Sequence, residues 1–148
     1  MVNGLRESEV GRFSVAFEEG TTMHVKLAPG WSADLDRGPG WLFVRLHTSR
    51  TSNAEGLDLA GRVCRLLDNE FANRVVLELD DVEMLRSPLV GEIVQLYRRM
   101  HSRDGMMRIC GLSDDNYEVI CTSRLDNQFP RYHDREEAVM GSHPPKPR

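Results

Sequence analysis

Long apolar runs are missing from this 148-residue chain. No stretch approaches the ~18 consecutive apolar residues of a membrane-spanning helix, and the first residues lack the charged-then-apolar order of a secretion signal. Cysteine is scarce: Cys64, Cys110 and Cys121 are an odd number without the paired spacing of a zinc site. Buried free thiols in a reducing compartment are the expectation, and with them a cytoplasmic protein. A basic excess is missing as well, since 19 Lys and Arg against 23 Asp and Glu leave a formal net charge of −4. That balance argues against a nucleic-acid phosphate backbone as the partner. Finally, there is no Gly-rich phosphate loop, no nucleophile elbow and no pair of metal-spaced histidines, so neither an enzyme nor a cofactor is expected.

What is there centres on residues 74–112. Residues 74–79 form a short aliphatic run ending in Asp80-Asp81, the pattern of a buried strand and its turn. From Val90 the period becomes helical, with Val90, Ile93, Val94, Tyr97 and His101 on one stripe. Arg98, Arg99 and Arg103 lie away from it as a basic stripe, open to an acidic partner or simply solvated. Asp104-Gly105 ends this helix, glycine supplying a left-handed residue, and residues 106–110 begin a second strand. A helix between two buried strands predicts a crossover with parallel strands, whose functional loops follow the strand C-terminal ends.

Residues 1–11 read as a flexible leader and residues 141–148, with three prolines, as a disordered tail; residues 12–140 read as a single domain. Within 12–27 two strands are expected, one carrying Phe13, Val15 and Phe17 and the other Met23, Val25 and Leu27, joined at Glu18-Glu19-Gly20. Residues 31–36 and 41–47 form a hairpin around Arg37-Gly38-Pro39-Gly40. Its second arm sets Trp41, Phe43, Arg45 and His47 opposite Leu42, Val44 and Leu46, with His47 read as polar surface. Ser52-Asn53-Ala54-Glu55 has the form of a capping box for a helix over 54–69. Ser113-Asp114-Asp115 caps a short helix carrying Val119 and Ile120 inward, residues 129–132 are extended, and Asp134 caps a last helix. The order predicts an α/β domain: a mixed β-sheet with helices packed on one side and antiparallel N-terminal strands.

From about Trp41 to Val139 the chain resembles a STAS domain, the module of sulfate-transporter tails and bacterial anti-sigma factor antagonists. The resemblance rests on the strand and approach of residues 74–85, on Ser87 and Gly91 with a helix ending Leu96-Tyr97-Arg98-Arg99, on the strand of residues 105–110, and on Leu125-Asp126-Asn127-Gln128-Phe129-Pro130-Arg131-Tyr132 followed by residues 134–138. It implies a family core over 41–140 and makes 12–40 a β extension. The family's signature loop is Asp-Ser-x-Gly, with a serine phosphorylated by a partner kinase that is itself the anti-sigma factor. Ser87 falls on that serine, Arg86 stands at the aspartate and Leu89 at the glycine, which reverses the local charge and removes backbone freedom.

Two accounts of Ser87 stand side by side. One is a plain helix start, serine as N-cap with Pro88 at the first helical position; the other adds a regulatory phosphosite, where a phosphate meets free N–H groups and Arg86. The resemblance places the loop with Thr48, Ser49, Thr51 and Ser52 beside Ser87, as second phosphoacceptors, partner contacts or plain solvated residues; Thr48, Ser49, Arg50 and Thr51 with Asp81, Glu83, Arg86, Pro88 and Leu89 form the candidate partner-binding loops. Asp80, Asp81 and Glu83 read as surface carboxylates, with a divalent cation as the alternative. The implied function is a regulatory protein-binding domain similar to an anti-sigma factor antagonist. Its implied partner is an anti-sigma factor that is a serine kinase of the histidine-kinase-like ATPase type, with a homodimer left open. The alternative is a STAS scaffold or small-ligand module without phosphorylation.

Overall fold

Two Pro-Gly pairs fold the first part of the chain back on itself. In the computed structural model, which describes residues 22–48 and 57–141, strands β1 (Met23–Ala28), β2 (Trp31–Gly38) and β3 (Trp41–Thr48) are joined by Pro29-Gly30 and Pro39-Gly40. Gly30 and Gly40 have φ of 81° and 78°, the left-handed geometry of a turn with proline first and glycine second. The second turn is tighter than the four residues expected, because Gly38 still pairs with Trp41. The earlier expected strand with Phe13, Val15 and Phe17, the leader, and all of the 141–148 tail but Gly141 lie outside the described residues.

β3 then pairs in parallel with β4 (Arg74–Glu78), and β4 with β5 (Met106–Cys110). The sheet order is β1-β2-β3-β4-β5, so the expected parallel crossovers are present. They pass through α1 (Leu59–Asn69) and α2 (Ser87–Ser102), with α3 (Asp114–Thr122) and α4 (Arg135–Met140) following β5. Alternation on β3 sends Leu42, Val44 and Leu46 into the main core, where Val63, Leu67, Ile93, Leu96 and Ile120 of the helices close over them. The other face carries a smaller cluster of Trp41, Phe43, Val76, Cys110 and Tyr132 with Ala138 of α4. Three helices thus form the expected one-sided layer, and the short last helix covers the opposite face.

Several local readings shift. Helix α1 begins at Leu59, after a non-helical Asp58, while the capping box expected at residues 52–55 lies outside the described residues: Asp58, left-handed at φ 49°, accepts from Gly61 N, and Glu92 of α2 accepts from Leu59 N at 2.9 Å. A cap supplied from another helix leaves no signal at capping-box spacing. On α2 the core stripe is rotated toward Leu89, Leu96 and Met100 beside Val90 and Ile93; Val94 and Tyr97 are half-buried and His101 is exposed. At its end Asp104, not Gly105, is left-handed at φ 56°. Gly105 is required for space, since a Cβ there would lie 2.8 Å from Asn73 O. Cys64 and Cys110 are buried as expected, whereas Cys121 is exposed on α3.

Candidate functional site

The register of the sheet builds a polar row across its second face. His24 opposes Asp34, Asp34 opposes Arg45, and Arg45 opposes Glu78. These four sit at the C-terminal end of the parallel strands, where the loop leading to Ser87 departs. Glu78 is only 2% exposed. Its carboxylate accepts from Arg45 Nε at 3.3 Å and from Arg135 of α4, Nε at 2.7 Å and Nη2 at 3.0 Å. Arg135 also reaches Asp36 at 2.9 Å and stacks on Phe43 with its guanidinium carbon 4.3 Å from the ring centre. Its hydrogen bonds to Glu78 and Asp36 hold the guanidinium more firmly protonated than usual, against the effect of burial. Burial, reinforced by the Glu78 charge, pushes the adjacent Cys110 thiol up to about 12, so it is no nucleophile at neutral pH.

His47 is not the isolated surface residue expected. Its Nε2 lies 2.8 Å from Asp34 Oδ2 and its Nδ1 lies 3.1 Å from Asp81 Oδ2. Ionised carboxylates only accept, so both contacts are donor-to-acceptor when both ring nitrogens carry protons. His24 Nδ1 holds the other Asp34 oxygen at 2.7 Å. Hydrogen bonds from His24 first and His47 second hold the Asp34 carboxyl below the usual carboxylate range. Asp81 also lies 3.7 Å from Arg45 Nη1, so the hairpin grips the loop after β4.

That loop is tied elsewhere too. Leu79 N donates to Cys110 O at 2.9 Å, and the Asp80 carboxylate occupies the space that a side chain on Gly111 would need. Buried Asn116 of α3 accepts from Leu85 N at 2.8 Å and donates to Val82 O at 2.9 Å. Glu83, Met84, Arg86, Ser87 and Pro88 face outward. Met84 is 60% exposed, an apolar side chain beside the candidate switch.

Ser87 is the first residue of α2, not its N-cap; the extended Arg86 holds the cap position and makes no side-chain capping bond. Among the described residues the Ser87 hydroxyl has no hydrogen-bond partner. Leu89 faces the core at 3% exposure, so its side chain is not offered to a partner. Its φ is not positive, and the glycine of the signature is not needed for backbone freedom here. Thr48 ends β3, while Ser49, Arg50 and Thr51 lie outside the described residues. Asp80, Asp81 and Glu83 do not converge, and no metal-holding group of His, Cys, Asp or Glu occurs among the described residues. The residues missed from sequence are His24, Asp34, Glu78, Asn116 and Arg135. Strand alternation placed Arg45 and His47 on one face, but only the inter-strand register joins them to partners on β1, β2 and β4.

A shallow groove of about 280 Å³ lies at the other end of α2, lined by Tyr97, His101, Met106, Asn127 and Gln128 among others. Among the described residues no helix is long and apolar enough to cross a membrane.

This mixed five-stranded sheet with its helices has the STAS fold, as the solved structures similar to it establish. An anti-sigma factor antagonist from Mycobacterium paratuberculosis is 14% identical, with 79% of this chain and 97% of that one covered at a TM-score of 0.63. An anti-sigma-factor antagonist (STAS) domain protein from Planctomyces limnophilus is 18% identical, over 74% and 96% of the two chains at 0.60. The Bacillus cell fate determinant SpoIIAA in its phosphorylated form is 12% identical, over 74% and 99% at 0.56. No protein-family model and no curated protein sequence matches the chain.

Proposed function

We propose that this protein is a cytoplasmic regulatory domain of the anti-sigma factor antagonist kind. It binds a kinase-type anti-sigma factor through the segment around Met84, Arg86, Ser87 and Pro88, and phosphorylation of Ser87 releases that partner. Its work is binding, not catalysis. The observation that carries this reading is Ser87 itself: an exposed hydroxyl with no capping duty at the start of a 16-residue helix, delivered by a loop pinned to α3 and to the β2–β3 hairpin. The fold supports it, since SpoIIAA, with the same fold, is described in both unphosphorylated and phosphorylated forms.

The physical chemistry suits such a switch. A phosphate at Ser87 adds about −1.5 to −2 charges where the free N–H groups and dipole of α2 favour an anion. Arg86 stands beside it as a cation, in place of a carboxylate that would repel it. The same charge set against an apolar contact at Met84 carries a desolvation penalty, which is how phosphate would weaken the complex.

The test is intact mass with site mapping on protein taken from its own cells, beside the Ser87→Ala variant. The expected result is an 80 Da addition, the mass of HPO3, that maps to Ser87 and is absent from the variant. Unmodified Ser87 under both growth and stress would refute the switch.

A further inference from the structure

Asn116 is a buried amide on a helix whose other described residues, Ile120 apart, are half-buried or exposed. Its side chain reaches across 31 positions to Leu85 N and 34 to Val82 O. Those two backbone groups bracket Glu83 and Met84 and lead directly into Arg86 and Ser87. They lie outside any strand ladder, and a buried backbone group without a partner is destabilising. A primary amide of this length carries an acceptor and a donor on one planar group. Aspartate lacks the donor and alanine lacks both. Ser113 completes the arrangement by accepting from Asn116 N at 3.1 Å, which fixes the start of α3.

We infer that Asn116 is the positioning residue of the Ser87 site. It makes the 79–87 segment and α3 a single body, so the orientation of Ser87 is set from α3 as well as from β4. A displacement of α3 therefore reaches Ser87 through this amide. The inference rests on the proposed function only in treating Ser87 as the residue that matters.

The experiment uses the whole ¹⁵N-labelled chain as parent, Asn116→Ala and Asn116→Asp. It reads the exchange rate of the Leu85 amide relative to the Leu77 amide, which lies in the β4–β5 ladder at the centre of the sheet and corrects for overall stability, and the Ser87 amide resonance. In Asn116→Ala the Leu85-to-Leu77 exchange ratio rises about tenfold or more, as loss of one buried hydrogen bond dictates, and the Ser87 resonance moves. In Asn116→Asp, which keeps the acceptor and loses the donor, Leu85 stays protected while Ser87 still shifts. An unchanged Leu85 ratio in Asn116→Ala, or a Ser87 resonance at its parent position in both variants, overturns the inference. If the alanine variant does not fold, the aspartate variant decides; if neither folds, Asn116 is a folding residue and the inference falls.

Intact mass on the same variants keeps the two claims apart. Phosphate absent from parent Ser87 sinks the proposed switch and leaves the exchange result standing. Phosphate present in the parent and reduced in Asn116→Asp, with Leu77 protection unchanged, is a change that a merely structural amide would not produce.

Discussion

Replacing Arg135 with alanine strands the Glu78 carboxylate, which is 2% exposed, beside one remaining cation. Breaking a buried pair from one side costs about 3–5 kcal/mol in general. Here the loss is smaller, because Arg45 Nε stays at 3.3 Å and Arg135 is itself 37% exposed, where water screens it. About 2 kcal/mol follows for the charge, and loss of the stack on Phe43 adds about 0.5–1 kcal/mol. A total of about 2–3 kcal/mol corresponds to a fall of about 5–10 °C in Tm for a chain of this size. The assay is urea and thermal unfolding of parent, Arg135→Ala, Glu78→Gln and the double variant. Glu136→Ala on the exposed face of α4 serves as control and should lie within about 0.5 kcal/mol of the parent. The two substitutions should be non-additive, since Glu78→Gln removes the charge that the arginine neutralises. An Arg135→Ala variant as stable as the control would refute the reasoning, and with it the role of α4 as the clamp on the second face.

Three further predictions concern separate parts of the molecule. Asp34 has a folded pKa lowered by His24 and His47, so its contribution to stability is present above the ordinary value of about 4 and is lost as pH falls through the folded value. Urea midpoints between pH 7 and pH 3 should therefore fall less steeply for Asp34→Asn than for the parent, and parallel curves would contradict the histidine contacts. A thiol reagent at mild alkaline pH should label one cysteine fast, exposed Cys121, with buried Cys64 and Cys110 reacting only on unfolding; fast labelling in Cys121→Ala would show the core open. Phe71 is left-handed at φ 53° and 96% exposed just past α1, so Phe71→Gly should raise unfolding stability by about 0.5 kcal/mol. That figure is backbone strain relieved minus the entropy glycine adds to the unfolded chain, and a destabilised variant would mean that the aromatic ring makes a contact in solution.

Sequence alone determined the elements whose signals are local. Alternation on β3 separated Leu42, Val44 and Leu46 from Trp41 and Phe43, as the two clusters confirm, because side chains of a strand must alternate. The Pro39-Gly40 turn, the Ser113 and Asp134 caps and the parallel crossover over residues 74–110 were legible for the same reason: each depends on residues within a few positions of one another. The start of α1 was not, since Glu92 supplies its first acceptor from 33 positions away. Nor was the stripe of α2, whose rotation answers to the sheet and to α1 on its two sides. At the site, sequence picked Ser87, Asp81 and Arg86 but read Ser87 as a cap and Leu89 as a surface contact. Only the tertiary structure decided that Ser87 is not the cap, that Leu89 is core, that Asn116 and His47 hold the loop before Ser87, and that Glu78 anchors Arg135 of α4. Those roles arise from inter-strand register and from one amide spanning 31 positions, and contacts between distant parts of a chain are set by packing, which no short stretch of sequence records.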